Sequence, residues 1–117
     1  MLDLCAVRKV QSALRQFEKE LKSRTSLSLN DALCLCSVKN GISEPGLLAR
    51  EMELSPSRLT RILDSLEQRG LIERTIAAGD RRAVTVKLTA TAIKRIQKYQ
   101  CAGIELPAEL QATQEAH

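Results

Sequence analysis

The stretch that decides the fold runs from residue 55 to residue 89, SPSRLTRILDSLEQRGLIERTIAAGDRRAVTVKLT. Its first half predicts a helix with a defined start. Ser55 is a favourable N-cap, and Pro56 suits the first helical position, where its missing N–H loses no hydrogen bond. Gly70 can adopt the left-handed conformation that commonly ends a helix. The helix is therefore expected to begin after Ser55 and to end before Gly70.

The predicted helix has two unlike faces. Apolar residues at the spacing of one face are Leu59, Ile62, Leu63 and Leu66. The opposite face carries Ser57, Arg61, Asp64 and Gln68. Because helical residues three or four positions apart share a face, the first set is expected to be buried and the second to be exposed.

A β-hairpin is predicted after the helix. Residues 71–76 and 84–89 are rich in β-branched side chains and bounded by a glycine-containing loop, which is the pattern of two short antiparallel strands. The loop at 77–83 contains Asp80, Arg81 and Arg82. The hairpin is therefore expected to carry a cationic tip.

Several short segments occur in a characteristic order along this region. They are Leu48-Ala49, Ser55-Pro56-Ser57, Thr60-Arg61, Leu66-Glu67, Arg69-Gly70-Leu71-Ile72, Asp80-Arg81-Arg82 and Val86-Lys87-Leu88-Thr89. In this order they resemble the winged helix-turn-helix of the MarR family of bacterial transcription regulators. The resemblance covers roughly residues 42 to 92. It implies a dimer that binds palindromic double-stranded DNA.

The 117 residues are enough for one domain with a core, and too few to favour two. The expected fold is mainly α with a small β-hairpin (α+β), a winged helix-turn-helix flanked by terminal helices for dimerisation. Within a single domain, 1–117, the expected parts are a dimerisation helix at 1–24, the winged helix-turn-helix at 28–89 and C-terminal helices at 90–117.

The first helix, predicted at 2–23, has a seam of apolar residues at alternating spacings of three and four. They are Val7, Val10, Leu14, Phe17 and Leu21. Such a seam can pack on its own domain or on a second copy of the chain, and the pattern alone does not separate these two. The resemblance favours the second, and hence a homodimer.

The supporting helices are predicted on either side of Asn40-Gly41. A helix from Ser28 to about Lys39 is apolar nearly all round, so its residues, including Cys34 and Cys36, are expected to be buried. Ser43 is expected to cap the next helix.

That next helix is expected to direct Leu47, Leu48 and Met52 inward. Glu53 follows it, at the position where many helix-turn-helix proteins have glycine, which predicts a turn that is either mildly strained or widened. Thr89 or Thr91 is expected to start a fifth helix that ends at Gly103, and Pro107 fits a last short helix.

Composition restricts the classes of function. Eighteen basic and fourteen acidic residues give a net charge of +4, a mild bias towards polyanions. One Phe, one Tyr and no Trp disfavour base stacking on single strands. The N-terminus has no export signal and no segment reaches the length of a membrane span, so free thiols and a cytoplasmic location are expected.

The sequence offers little for catalysis. Its one histidine is His117, at the C-terminus, and the pair Cys34-x-Cys36 lacks the spacer and the second ligand pair of a zinc site. No catalytic residue, metal site or cofactor is therefore predicted.

The candidate DNA-contacting residues fall into two groups. Ser55, Ser57, Arg58, Thr60 and Arg61 are expected to face the major groove, with Arg61 able to form a fork to guanine. Arg74 and Lys87 are expected at the DNA backbone, and Arg81 and Arg82 at the wing tip. Asp80 is expected to orient Arg82 towards the minor groove.

Three questions stay open at this stage. A winged helix can also serve as a protein-interaction adaptor without specific DNA binding. A small-molecule effector is not identifiable from the residues. Oxidation is not expected to be the main switch, because only Arg8 and Lys9 lie near Cys5 to stabilise a thiolate, and the role of Cys101 is undecided.

Overall fold

The computed structural model of the chain describes residues 3–76 and 84–100, with side-chain environments to residue 97. The described elements are α1 (Leu4–Thr25), α2 (Leu29–Lys39), α3 (Pro45–Glu51), α4 (Pro56–Gln68), β1 (Ile72–Ile76), β2 (Val84–Leu88) and α5 (Ala90–Gln100). Two compact units are present, one containing α1 and the other spanning Asn30–Lys98. The predicted mainly α fold with one β-hairpin is confirmed.

Helix α1 begins two residues later than predicted, because Asp3 caps it. The Asp3 carboxylate accepts a hydrogen bond from the Cys5 N–H at 2.9 Å. At the other end, the buried Thr25 hydroxyl donates to the Leu21 carbonyl at 2.6 Å and accepts from the Leu27 N–H at 3.2 Å. These local bonds satisfy polar groups that a helix end leaves without partners.

Helix α4 ends in the Schellman motif that its sequence predicts. The Gly70 N–H bonds the Glu67 carbonyl at 3.0 Å, and the Leu71 N–H bonds the Leu66 carbonyl at 2.9 Å. The φ angle of Gly70 is +74°, in the left-handed region. Helix α2 ends in the same way at Gly41, whose φ is +101°.

Helix α3 ends in the same motif without a glycine. The Glu53 N–H bonds the Arg50 carbonyl at 3.2 Å, and the Leu54 N–H bonds the Ala49 carbonyl at 2.9 Å. The φ angle of Glu53 is +54°, a left-handed conformation that costs a residue with a Cβ free energy. The predicted strain at this turn is thus present in the backbone.

Strands β1 and β2 form an antiparallel hairpin in which Ile72 pairs with Leu88 and Ile76 with Val84. The Ser43 carbonyl accepts a hydrogen bond from the Val86 N–H at 2.8 Å, which joins β2 to the segment before α3. The expectation that Ser43 caps α3 is wrong, because Glu44 occupies the N-cap position and makes no side-chain capping bond.

The core of the unit Asn30–Lys98 is aliphatic. Its fully buried large side chains include Leu35, Leu48, Leu59, Leu63, Leu66, Leu71, Ile72 and Val86. Three expectations about burial are wrong. Ile62 of α4 is only half-buried. Cys36 is exposed and Leu33 is 47% exposed, so α2 is not buried all round, and Leu47 of α3 is 48% exposed. Short helices packed on one side leave their other side to solvent, whatever its composition.

Helix α5 begins where one of the two predicted caps places it. The Thr89 hydroxyl accepts a hydrogen bond from the Ala92 N–H at 3.1 Å and donates to the Gly70 carbonyl at 2.7 Å. Thr89 therefore caps α5 and also joins it to the end of α4. The expected helix end at Gly103 and the helix after Pro107 lie outside the described residues.

Candidate nucleic-acid interface

Helices α3 and α4 and the turn between them form a helix-turn-helix, and α4 begins at the cap that the sequence predicts. Ser55 has an extended backbone (φ −65°, ψ 152°), and its hydroxyl accepts a hydrogen bond from the Arg58 N–H at 3.3 Å. The Ser57 hydroxyl lies 3.4 Å from that of Ser55. Two hydroxyl groups therefore stand side by side at the start of α4.

All five candidate residues on the N-terminal half of α4 are exposed, namely Ser55, Ser57, Arg58, Thr60 and Arg61. The Thr60 hydroxyl donates to the Pro56 carbonyl at 2.9 Å, so only its oxygen lone pairs are left for a ligand. Neither Arg58 nor Arg61 forms an ion pair with another described residue. Their positive charges are uncompensated within the described chain.

The helix backbone adds to this positive potential. Helix α4 has no acidic residue in its first turn. Its N-terminal N–H groups carry the positive end of the helix dipole, which favours anions such as phosphate. The N-terminal half of α4 therefore combines exposed hydroxyls, two arginines without an ion-pair partner in the described chain, and the positive end of the helix dipole.

The C-terminal half of α4 is acidic and is tied to β1. The Arg74 guanidinium donates to the Asp64 carboxylate at 2.6 Å and to the Glu67 carboxylate at 2.8 Å, and the Arg74 backbone N–H also donates to Glu67 at 3.2 Å. Hydrogen bonds from Arg74 lower the pKa of Glu67 and, in return, raise the pKa of Arg74. Arg74 is predicted from the sequence at the DNA backbone, and this cluster is not predictable there, since no periodic pattern relates a helix to the following strand.

A second arginine joins the end of α4 to α2. The Arg69 guanidinium lies 3.2 Å from the Asp31 carboxylate, and the Asp31 side chain is only 14% exposed. The two residues are far apart in the sequence. No local sequence signal could have found this pair, because the tertiary fold alone brings the two helices together.

The remaining candidates lie on the hairpin. Lys87 is exposed on β2, opposite Glu73 of β1 in the strand register. Asp80, Arg81 and Arg82 lie outside the described residues, so the pairing of Asp80 with Arg82 stays a prediction. Because Ile76 pairs with Val84, the segment that holds these three residues connects the outer ends of the two strands.

The cysteines differ in their surroundings. Burial, with a smaller contribution from Asp31, raises the pKa of the Cys34 thiol to about 11. Cys5 and Cys36 are exposed, and the Asn40 side-chain amide lies 3.8 Å from the Cys36 sulfur. Cys101 lies outside the described residues. Over residues 3–76 and 84–100, no three His, Cys, Asp or Glu side chains gather as metal ligands would.

One cavity of about 580 Å³ lies within the unit Asn30–Lys98. Its lining comes from the end of α2, from β2 and from α5: Val38, Lys39, Ser43, Thr85, Val86, Lys87, Leu88, Ile93, Ile96 and Gln97. Its volume is within the range of small-molecule pockets.

Comparison with known proteins gives a consistent result. The model of the MarR family matches residues 27–84. A cysteine-to-serine mutant of MarR from E. coli, solved in complex with operator DNA, is 26% identical, with a TM-score of 0.74 over 91% of this chain and 79% of the other.

Two further solved structures show the same fold. The S. aureus MepR–DNA complex is 17% identical, with a TM-score of 0.76 over 97% of this chain and 85% of the other. The transcriptional regulator BldR from Sulfolobus solfataricus is 21% identical, with a TM-score of 0.66 over 97% and 89%. Among the described residues, no helix has the length and apolar character needed to span a membrane.

Proposed function

Because this chain belongs to the MarR family, we propose that it is a transcriptional regulator that binds double-stranded DNA with sequence specificity. The observation that carries this proposal is the N-terminal half of α4, where Arg58 and Arg61 are exposed and unpaired within the described chain beside the Ser55 and Ser57 hydroxyls. A solved relative with the same fold binds operator DNA.

The residues of α4 divide between two kinds of contact. Ser55 and Ser57, together with the N–H groups of the helix start, bind phosphate oxygens. Thr60, whose hydroxyl hydrogen is used on the Pro56 carbonyl, accepts from a base amino group. Arg58 and Arg61 lie further along the helix and reach base edges in the major groove, where an arginine fork can bind guanine O6 and N7. The first group fixes the register of the protein on the duplex, and the second reads the sequence.

The hairpin serves as the wing. Lys87 contacts the DNA backbone, and Arg81 and Arg82 reach the minor groove, with Asp80 orienting Arg82. The minor groove is read by its width and negative potential more than by base identity. The wing therefore contributes affinity that depends strongly on salt concentration, while α4 contributes most of the base preference.

The regulator acts as a homodimer on a palindromic operator and works in the cytoplasm. The N-terminal part of the α1 seam supports this assembly, since Val7 and Val10 are 48% and 38% exposed in the single chain, and Leu4 before them is 74% exposed. Membership of the family, whose regulators act by binding DNA, also supports a role without catalysis.

The test is selection of duplexes from a random library, followed by binding measurements against salt concentration. We expect a palindromic sequence to be selected and to bind far more tightly than scrambled duplex. If the protein binds all duplexes equally weakly and no sequence is enriched, specific regulation is wrong and an adaptor role is favoured. Sedimentation at micromolar concentration should give a dimer, and a monomer there would contradict the assembly.

A further inference from the structure

The contact between Arg74 and the acidic residues of α4 joins the two elements that would meet DNA. One Arg74 nitrogen bonds both Asp64 and Glu67, and the other oxygen of Glu67 accepts from the Arg74 backbone N–H. The side chain of Arg74 is only 25% exposed. This cluster therefore attaches both the backbone and the side chain of β1 to α4.

Among the described residues, Arg74 is also the outermost residue of β1 with a hydrogen bond to α4. At the inner end of the hairpin, Leu71, Ile72 and Val86 are buried, and the Thr89 N–H bonds the Leu71 carbonyl at 3.2 Å. Beyond Arg74, Thr75 and Ile76 are exposed, with Ile76 at 64%. Beyond Arg74, the strand pair thus continues to Ile76 and Val84 without a further hydrogen bond to α4 in the part of the chain that the structure describes.

We propose that Arg74 is a positioning residue, which sets the angle of the wing relative to α4 through Asp64 and Glu67 and does not itself bind DNA. The proposal rests on the proposed function. Because α4 and the wing are to contact different grooves at once, holding them at one separation reduces the ordering that binding must otherwise impose. A guanidinium nitrogen shared by two carboxylates suits this task, since its charge-assisted bonds hold β1 to two positions on α4.

The alternative role for Arg74, a direct contact to phosphate, predicts the opposite response to one substitution. Removing Glu67 deletes a negative charge near the DNA and leaves Arg74 bonded to Asp64 alone. If Arg74 bound phosphate, Glu67→Ala would strengthen DNA binding. If Arg74 positions the wing, the same change weakens binding, because two of the three bonds that attach β1 to α4 are lost.

Glu73 provides a matched control for charge. It lies next to Arg74 on β1, is exposed, and forms no ion pair with a described residue. Glu73→Ala therefore removes the same charge from nearly the same place without breaking the attachment. We expect Glu67→Ala to lower affinity for the selected operator roughly three- to tenfold, and Glu73→Ala to leave it unchanged or to raise it. Equal responses of the two variants, or tighter binding by Glu67→Ala, would overturn the proposal.

A second measurement uses no DNA and reads the wing directly. Amide hydrogen exchange by NMR should speed up in Glu67→Ala at Thr75 and Thr85, which form the hydrogen-bonded pair beyond Arg74. The amides of Thr89, which bonds the Leu71 carbonyl, and of α2 should keep their protection. Uniformly faster exchange would indicate general destabilisation, and unchanged exchange at the wing would indicate no attachment; either result overturns the positioning role. If the wild type selects no duplex at all, the proposed function fails, and the exchange data still decide whether Arg74 holds the wing.

Discussion

The two ends of α4 differ in charge and in attachment, although they belong to one helix of 13 residues. At the N-terminal end, Arg58 and Arg61 are exposed and have no ion-pair partner in the described chain. At the C-terminal end, Asp64 and Glu67 hold Arg74, and Arg69 just beyond the helix pairs with Asp31. The cations of the N-terminal end have no ion-pair partner in the described chain, and the C-terminal end forms ion pairs with other elements of its unit.

This difference indicates how a short helix can present side chains accurately. Arg58 and Arg61 form no ion pair with a described residue, so they do not help to fix the direction of α4. The direction of the helix has to be fixed elsewhere, and ion pairs at its far end, together with the buried Leu59, Leu63 and Leu66, can do so.

The turns that enter and leave α4 also differ. Both have a left-handed residue in a Schellman motif, but the turn before α4 has Glu53 at φ +54° and the turn after it has Gly70 at φ +74°. The entry turn is therefore strained and the exit turn is not. Four experiments test these contrasts.

The largest expected effect is that of a substitution at the N-terminal end of α4 on DNA binding. Arg61→Ala should weaken binding to the selected operator by about 1 to 3 kcal/mol and relax the preference at one base pair per half-site. The free energy of unfolding should stay nearly unchanged, because Arg61 is exposed and unpaired in the described chain. Fluorescence anisotropy and urea unfolding measure the two quantities.

Arg95→Ala is the control for this change, since Arg95 is an exposed arginine on α5. It removes the same charge away from the helix-turn-helix. If both variants lost operator and scrambled-duplex binding equally, Arg61 would contribute charge alone and not base recognition.

The next effect is on stability at the exit of α4. Gly70→Ala should lower the free energy of unfolding by about 1 to 2 kcal/mol, because an L-residue is unfavourable in the left-handed conformation. No atom lies within 4 Å of the added Cβ, so the loss would come from the backbone alone. Urea unfolding provides the measurement.

Gly46→Ala in α3 is the matched control for this loss. Gly46 has no positive φ, and its added Cβ would meet only a Glu44 side-chain oxygen at 3.4 Å. Alanine is favoured over glycine in a helix, so this variant should be as stable as the wild type or more so. A comparable loss in both variants would contradict the backbone explanation.

At the entry of α4 the expected effect is smaller and opposite in sign. Glu53→Gly should raise the free energy of unfolding by about 0.5 to 1 kcal/mol, because relief of the left-handed strain is partly offset by the greater freedom of glycine in the unfolded chain. Glu51→Gly, two residues earlier in helical conformation, should instead lower it. A loss of stability in Glu53→Gly would show that the glutamate side chain makes a favourable contribution there.

The smallest expected effect is the pH dependence of the stabilisation by the ion pair at the C-terminal end of α4. Arg74 lowers the pKa of Glu67 from its ordinary value of 4.5, so the stabilisation is present above that value and is lost as the pH falls through the lowered pKa of the folded state. The difference in unfolding free energy between the wild type and Glu67→Gln should therefore shrink as the pH falls below 4.5. Both partners are partly exposed, so salt should also reduce the difference. A difference independent of both pH and salt would contradict this ion pair.

Much of the fold follows from local signals. Ser55 as a cap, Gly41 and Gly70 as helix ends, the spacing of Leu59, Leu63 and Leu66, and the two strands are all confirmed. These features are predictable because a cap, a positive φ or a periodic apolar face depends on residues within one or two turns of each other.

The predictions that failed concern the exposure of side chains and the residue that caps α3. Cys36 and Leu47 are apolar in character and yet exposed, and Ser43 uses its carbonyl to bond β2 where a capping side chain was expected. Whether an apolar residue is buried depends on which element covers it. That is a property of the packing and not of the residue itself.

The sequence by itself determined the helix-turn-helix, the hairpin and the exposed cations at the start of α4, because each depends on local backbone and side-chain preferences. The tertiary structure alone shows that Arg74 bonds Asp64 and Glu67 and that Arg69 reaches Asp31. Those contacts join residues on different elements. Their existence depends on how the elements meet in space, which no spacing along the chain encodes.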